Sequence, residues 1–346
     1  MIQLSNLFQS NAIVLIFIIY FSFLLVIVQE NYSTKKIKFS KNIMVLLSLF
    51  LISFAVFRPA TLPDYSAYKL FYETEGRDRY EISMPFFKSL SPNFLVFLLY
   101  FAFIGISLKL IAIYKTSSSI LLSILAYFAY SYCLHDLIQM RAGCAIGFFL
   151  YALRYLANNK KIQYIFCILI GSLFHYSILI ALIFVLFNPK KYNRCFWFFF
   201  VFISYVLYLL HIDPVRILLN FIDSKSYLYL QLISLKGVTV SPFDKVNLIN
   251  IFIFFLFSMK YEKQSENPMT AILLKILACS IIVIPLFASA TYFSTRFREL
   301  LGSVLILLLP NALYLFKKKR YGYYLFLTIF LLYFAQKHIF SGYLLK

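Results

Sequence analysis

Acidic residues are scarce in this chain: 13 Asp and Glu stand against 33 Lys and Arg, a formal net charge of +20. In a soluble domain such an excess would point to nucleic acid. Here the basic residues cluster in short turns between long uncharged runs. That is the pattern of positive-inside membrane topology, and nucleic-acid binding is set aside. Cysteine is also sparse. Cys133, Cys144, Cys167, Cys195 and Cys279 are scattered singly, without a CxxC pair or His/Cys spacing, which excludes a disulfide framework and a metal centre. No Walker A or Rossmann glycine pattern occurs, so nucleotide-driven chemistry is not expected. Internal repeats, low-complexity tracts and a soluble catalytic domain are missing too. The first residues have neither a basic n-region nor a small-residue cleavage site, so 11–29 reads as a retained span rather than a signal peptide.

What the chain has in abundance is apolar length. Hydrophobic residues make up 62% of it and the mean hydropathy is +0.83. Runs long enough to cross a ~30 Å hydrocarbon core recur from end to end. Spans are expected at 11–29, 41–57, 93–114, 118–134, 141–157, 162–187, 195–210, 246–259, 270–292, 299–316 and 321–340. The strongest basic clusters are Lys35, Lys36, Lys38 and Lys41 after the first span, and Lys317, Lys318, Lys319 and Arg320 before the last. If 162–187 is one helix, these clusters fall on opposite faces. If it crosses twice, or dips in and returns, both lie inside, joined by Lys190, Lys191, Arg194, Lys260 and Lys263. Two arms of about 13 residues would each rise only ~20 Å. The expectation is therefore a broken or re-entrant pair buried among other helices, with Gly171 and Ser172 at the break. The predicted fold is an all-α polytopic integral membrane protein, a single domain over 1–346, with about 11–12 membrane segments and external loops at 58–92 and 211–245.

This threading gathers the unusual polar residues at the outer face. Arg58, Asp64 and Tyr65 begin the first loop, and His135, Asp136, Gln139 and Arg141 form the turn between the fourth and fifth spans. His175 sits at the apex of the broken segment, and Arg296, Arg298 and Glu299 occupy a short turn before the tenth span. Ionisable residues at a membrane boundary are costly unless paired or facing water, so they mark a site. Each also has a plainer reading: His175 as a hydrogen-bonded interior histidine, the arginines as interface anchors, Asp64 as a turn residue after Pro63. Several arginines suit a phosphate or pyrophosphate, because guanidinium bonds it bidentately and stays charged. An adjacent His or Asp can take a proton from a sugar hydroxyl, and tyrosines can position the glycan.

At these residues the chain resembles the EpsG family, within the broader group of Wzy-type O-antigen and exopolysaccharide polymerases. The resemblance is carried by "RPATLPDYSAYKLFYE" (Arg58, Asp64, Tyr65, Tyr68, Tyr72), "LIQMRAGCAIGFFLYALRYLANNKK", "IGSLFHYSILIAL" around His175, and "YFSTRFRELLGSVLILLLP". In the second patch Gln139 and Arg141 stand one residue closer than the family's Gln-x-x-Arg spacing. The resemblance implies a bacterial inner-membrane glycosyltransferase acting at the periplasmic face. It would move glycan from undecaprenyl pyrophosphate onto another lipid-linked repeat unit, without metal, nucleotide sugar or other cofactor. A separate chain-length regulator would be its partner. Arg141 and Arg296, with Arg58 and Arg298 behind them, would then hold the pyrophosphate. His175 or His135, or else Asp64 or Asp136, would be the base, and Tyr65, Tyr68 and Gln139 would contact glycan. An O-antigen ligase and a flippase or transporter for lipid-linked oligosaccharide are the alternatives. A sugar acyltransferase is a more distant one, since the arginine-to-histidine pattern it would need early in the chain is missing.

Overall fold

The computed structural model describes residues 41–74, 81–212, 214, 217, 241–261 and 267–336. The span expected at 11–29 and most of the loop at 211–245 lie outside the described residues. Within them the chain is helical and contains no strand. The helices are α1 (Lys41–Val56), α2 (Tyr65–Glu73), α3 (Ser83–Leu90), α4 (Phe94–Thr116), α5 (Ile120–Tyr127), α6 (Met140–Ala157), α7 (Lys161–Ser172), α8 (Arg194–Leu209), α9 (Lys245–Lys260), α10 (Pro268–Leu286), α11 (Thr291–Gly302), α12 (Leu305–Leu308) and α13 (Lys319–Phe334). A π-helix, Phe128–Asp136, prolongs α5, while 3₁₀ segments cover Tyr176–Leu186 and Leu309–Tyr314.

Local chemistry accounts for many of these boundaries. Asn93, Asn193, Asp244 and Asn267 each accept a backbone N–H in the first turn of the following helix, satisfying a donor that has no intrahelical partner. Lys115, Arg154 and Lys260 fall in last turns, where the helix dipole favours a cation. Among the described residues three helical stretches are long and apolar enough to cross a membrane: Phe94–Thr116, Pro268–Leu286 and Ala288–Tyr314. The last two are 78% and 83% buried and form the centre of the bundle, whereas Phe94–Thr116 is 44% buried and lies at its edge.

The stretch 162–187 does not form one helix. The chain leaves α7 after Ser172, passes through an extended His175 (φ −159°, ψ 120°) and returns as the 3₁₀ arm. The Tyr164 hydroxyl donates to the Ala181 carbonyl at 2.8 Å. In a continuous helix residues that far apart in sequence would be ~25 Å apart. Gly171 lets the arms close: a Cβ there would lie 2.5 Å from Ile178 Cδ1. In the 3₁₀ arm Ile178, Ala181 and Phe184 form a buried row at intervals of three, the spacing at which 3₁₀ side chains eclipse.

One expectation is corrected. Among the described residues the hairpin is not enclosed by other helices. It packs on α6, and its outer row is exposed, from Ile162 (81%) through Phe166 and Ile183 to Leu186 (79%). Each arm satisfies its own backbone hydrogen bonds, so an apolar outer face can meet lipid. Two further turns prove helical. His135 and Asp136 end the π-helix and Arg141 lies in the first turn of α6, leaving a short link at 137–139. Arg296, Arg298 and Glu299 lie inside α11, because the chain breaks earlier, just after Pro285 in the last turn of α10. The first long loop is also more ordered than its sequence implies, carrying α2 and α3.

The fold-back decides which ends of the helices share a side. Lys275 donates to the Asn188 carbonyl, the rings of Tyr192 and Tyr261 lie 4.9 Å apart, and Asn311 reaches Thr270. These contacts bring the ends bearing Lys190, Lys191, Lys260 and Lys317–Arg320 to one end of the bundle, with the hairpin apex at the other. Thiols introduced by Asn188→Cys and Lys318→Cys should therefore react with a membrane-impermeant maleimide from the same face, and Leu173→Cys from the opposite one. Labelling of Asn188→Cys and Lys318→Cys from opposite faces would show a single crossing instead.

Candidate functional site

At the apex end, one carboxylate joins three separate parts of the chain. Glu81, 5% exposed, precedes α3. Its Oε1 lies 2.7 Å from His175 Nδ1 at the hairpin apex, and its Oε2 pairs with Arg141 in the first turn of α6. The Ser83 amide donates to the Leu173 carbonyl at 3.1 Å, tying α3 to the same apex. Burial pushes the Glu81 carboxyl up, but the His175 hydrogen bond and the Arg141 charge outweigh it and hold the group below its ordinary value. Glu81 is therefore an acceptor at neutral pH, and Nδ1 of His175 carries the shared hydrogen, leaving Nε2 to accept a proton. Tyr68 of α2 is buried with its hydroxyl within hydrogen-bonding reach of Arg141, and burial pushes that phenol up.

His175 and Gln139 line a narrow cleft, with about 10 Å³ of accessible space, together with His135, Ala142, Ile146, Ser177, Arg296, Glu299 and Leu300. The hairpin and α6 form one wall; the π-helix and α11 form the other. Across it His135 Nε2 lies 3.8 Å and Arg296 3.6 Å from Glu299, while Ser131 Oγ sits 3.3 Å from His135 Nδ1. Gly143 permits the close approach of α6, since a Cβ there would stand 2.3 Å from the His135 carbonyl oxygen. The side-chain oxygen of Gln139 is buried without a hydrogen-bond partner among the described residues.

The structure thus brings His175, His135, Gln139, Arg141 and Arg296 into one neighbourhood and places the other expected residues differently. Asp136 points away from the cleft, accepting from Lys109 at 2.6 Å and from Tyr127 at 2.7 Å. Arg58 donates to the carbonyls of Asp136 (3.2 Å) and Leu137 (2.6 Å) and reaches Met140 Sδ. Arg298 pairs with Asp244 at 2.5 Å. Asp64 is exposed in the left-handed region (φ 64°) and makes no ion pair among the described residues, while Tyr65 packs edge-on against Phe94. Glu81 is a partner that sequence reasoning missed, and Glu299 stands in it without an assigned role. In a chain with so few acids, asking which carboxylates could balance the gathered arginines would have been the only signal for them.

These features define a polytopic helical membrane protein with a histidine- and arginine-lined cleft at the end opposite its basic turns. The family model described as EpsG family matches residues 41–344, and the chain belongs to that family. No curated protein and no solved structure matches it.

Glu81 should govern both stability and its pH dependence. A carboxyl whose folded pKa lies below its unfolded value stabilises the fold fully above the unfolded value, near 4.5, and that contribution is lost as pH falls through the folded value. Glu81→Gln is expected to cost about 2 kcal/mol near neutral pH. Thermal melts in detergent should show the gap from the native chain narrowing and closing as pH falls below 4.5. A pH-independent gap would argue against the ionised bridge.

Proposed function

We propose that this chain polymerises lipid-linked glycan. It transfers a growing chain from undecaprenyl pyrophosphate to a sugar hydroxyl on another lipid-linked repeat unit, at the periplasmic face of a bacterial inner membrane. Membership of the EpsG family and the polytopic membrane fold support this reading. The observation that carries it is the Glu81–His175 pair on the wall of a cleft that also holds Arg296, with Arg141 bound to the same carboxylate.

The chemistry follows from those groups. Nε2 of His175 takes the proton of the acceptor hydroxyl as its oxygen attacks the anomeric carbon of the donor. The bond from that carbon to the pyrophosphate oxygen breaks, and the leaving charge spreads over the phosphates. Arg296, loosely paired at 3.6 Å, and Arg141 face that charge. Gln139 offers its unpartnered oxygen to a sugar hydroxyl. His135, backed by Glu299, stands on the opposite wall. Arg58 and Arg298 support the walls through their backbone and Asp244 bonds rather than touching substrate. The free space between the walls, about 10 Å³, is no larger than one water, so the walls part to admit the reacting hydroxyl and phosphate while the glycan lies outside. Chain length is left to a separate regulator protein.

In a deletion strain, long-chain polysaccharide should disappear while a single repeat unit still reaches its acceptor. Loss of every attached repeat would favour a ligase or flippase, and normal chains lacking acetyl groups would sink the polymerase reading. With purified protein and lipid-linked repeat units, His175→Ala should slow polymerisation by about 10²–10⁴-fold at unchanged protein level, the usual contribution of a general base. Arg296→Ala should be similarly impaired, and full activity of both variants would remove the assignment.

A further inference from the structure

Some of the most deeply buried charge in the described residues lies beside the cleft, not in it. The side chains of Lys109 on α4 and Asp136 at the end of the π-helix are 0% and 2% exposed, with Nζ and Oδ1 2.6 Å apart. The other Asp136 oxygen accepts from Tyr127 at 2.7 Å, and the Lys109 ammonium stands 5.7 Å from the centre of the Tyr127 ring. A buried ion pair brings little net stability over an apolar pair of the same shape, so stability alone is a poor reason for it. Its position supplies a better one. Asp136 is the next residue after His135, whose ring lines the cleft.

The segment between them has an uncommon backbone. The Leu137 amide donates to the Tyr132 carbonyl at 3.2 Å and the Gln139 amide to the Leu134 carbonyl at 2.8 Å, each five residues back. Such π bonding fits one more residue into a turn than an α-helix does, and it persists only where tertiary contacts hold it. Tightening to α bonding would change the direction of both side chains. His135 would leave Glu299, and Asp136 would leave Lys109. Arg58 holds the same turn from above through the Asp136 and Leu137 carbonyls. A glycine at 105 leaves room for the aspartate, since a Cβ there would come within 3.2 Å of Asp136 Oδ1.

We propose that Lys109 and Asp136 are positioning residues. Their ion pair holds Phe128–Asp136 in the π register, and so sets His135 against Glu299 on the cleft wall. The consequence for catalysis rests on the polymerase reading; the consequence for the backbone does not.

The test uses the full chain in detergent, with lipid-linked repeat units extracted from a strain lacking it. The neutral double variant Lys109→Met/Asp136→Asn leaves no charge stranded. It should reach native expression, with kcat reduced at least tenfold and KM for the repeat unit within twofold. Combined with His135→Gln it should reduce kcat no further than His135→Gln alone, because both act through one ring. Multiplying losses, or native kcat in the double variant, would overturn the proposal. Hydrogen exchange supplies the second arm. The amides of Leu137 and Gln139 should exchange at least tenfold faster in the double variant while α10 is unchanged, and unchanged exchange at 137 and 139 would overturn it. If the native chain builds no polymer, the polymerase reading fails and the exchange arm alone decides the backbone claim. Should the double variant not fold, Tyr127→Phe, which removes a single bond to Asp136, is expected to lower kcat about threefold and to raise exchange at the same two amides.

Discussion

The architecture depends on one carboxylate holding a turn that lipid alone would not favour. A chain that reverses inside a membrane leaves backbone groups at the bend without helical partners, and polar side chains there must be paired. Here the bend at Leu173–His175 is closed by the Ser83 amide and by Glu81, which binds the apex histidine with one oxygen and Arg141 with the other. The contact serves the fold and the chemistry together. It fastens the first long loop over the hairpin and fixes which nitrogen of His175 remains to accept a proton.

Around that point the cleft is assembled from elements that do not follow one another in the chain. The hairpin brings His175, the link before α6 brings Gln139, the π-helix brings His135, and α11 brings Arg296 and Glu299. The arginines then divide by partner. Arg141 and Arg296 pair with carboxylates at the cleft, while Arg58 and Arg298 hold backbone and Asp244. A cation bound to main-chain carbonyls has a fixed place and little freedom to reach a substrate. Arg296, whose pair with the partly exposed Glu299 is loose at 3.6 Å, can exchange one anion for another, which is what binding a pyrophosphate requires.

The fold-back at 162–187 was legible because of charge. Lysine clusters at both ends of the chain asked for an even number of crossings between them, and a double pass of the long apolar run at 162–187 supplies it. That the hairpin's outer row is left exposed by the other described helices was not legible, since an apolar residue facing lipid and one facing a core look alike in sequence. The two turns that proved helical were misread for a related reason: polar residues near a membrane boundary suggest a loop, but a helix whose polar side chains pair with neighbours tolerates them.

By itself the sequence determined the class of the protein, the approximate spans among the described residues, and the polar residue types that gather at the end opposite the basic turns. Those features follow from the cost of burying charge and exposing apolar surface, which depend on composition along the chain. Only the tertiary structure decided which residues meet. Glu81 lies 60 residues from Arg141 and 94 from His175, and Lys109 lies 27 from Asp136. An ion pair is set by three-dimensional distance, and no local spacing or periodicity encodes it. The same holds for the π register, which persists through contacts made by other helices and leaves no repeat in the residues that adopt it.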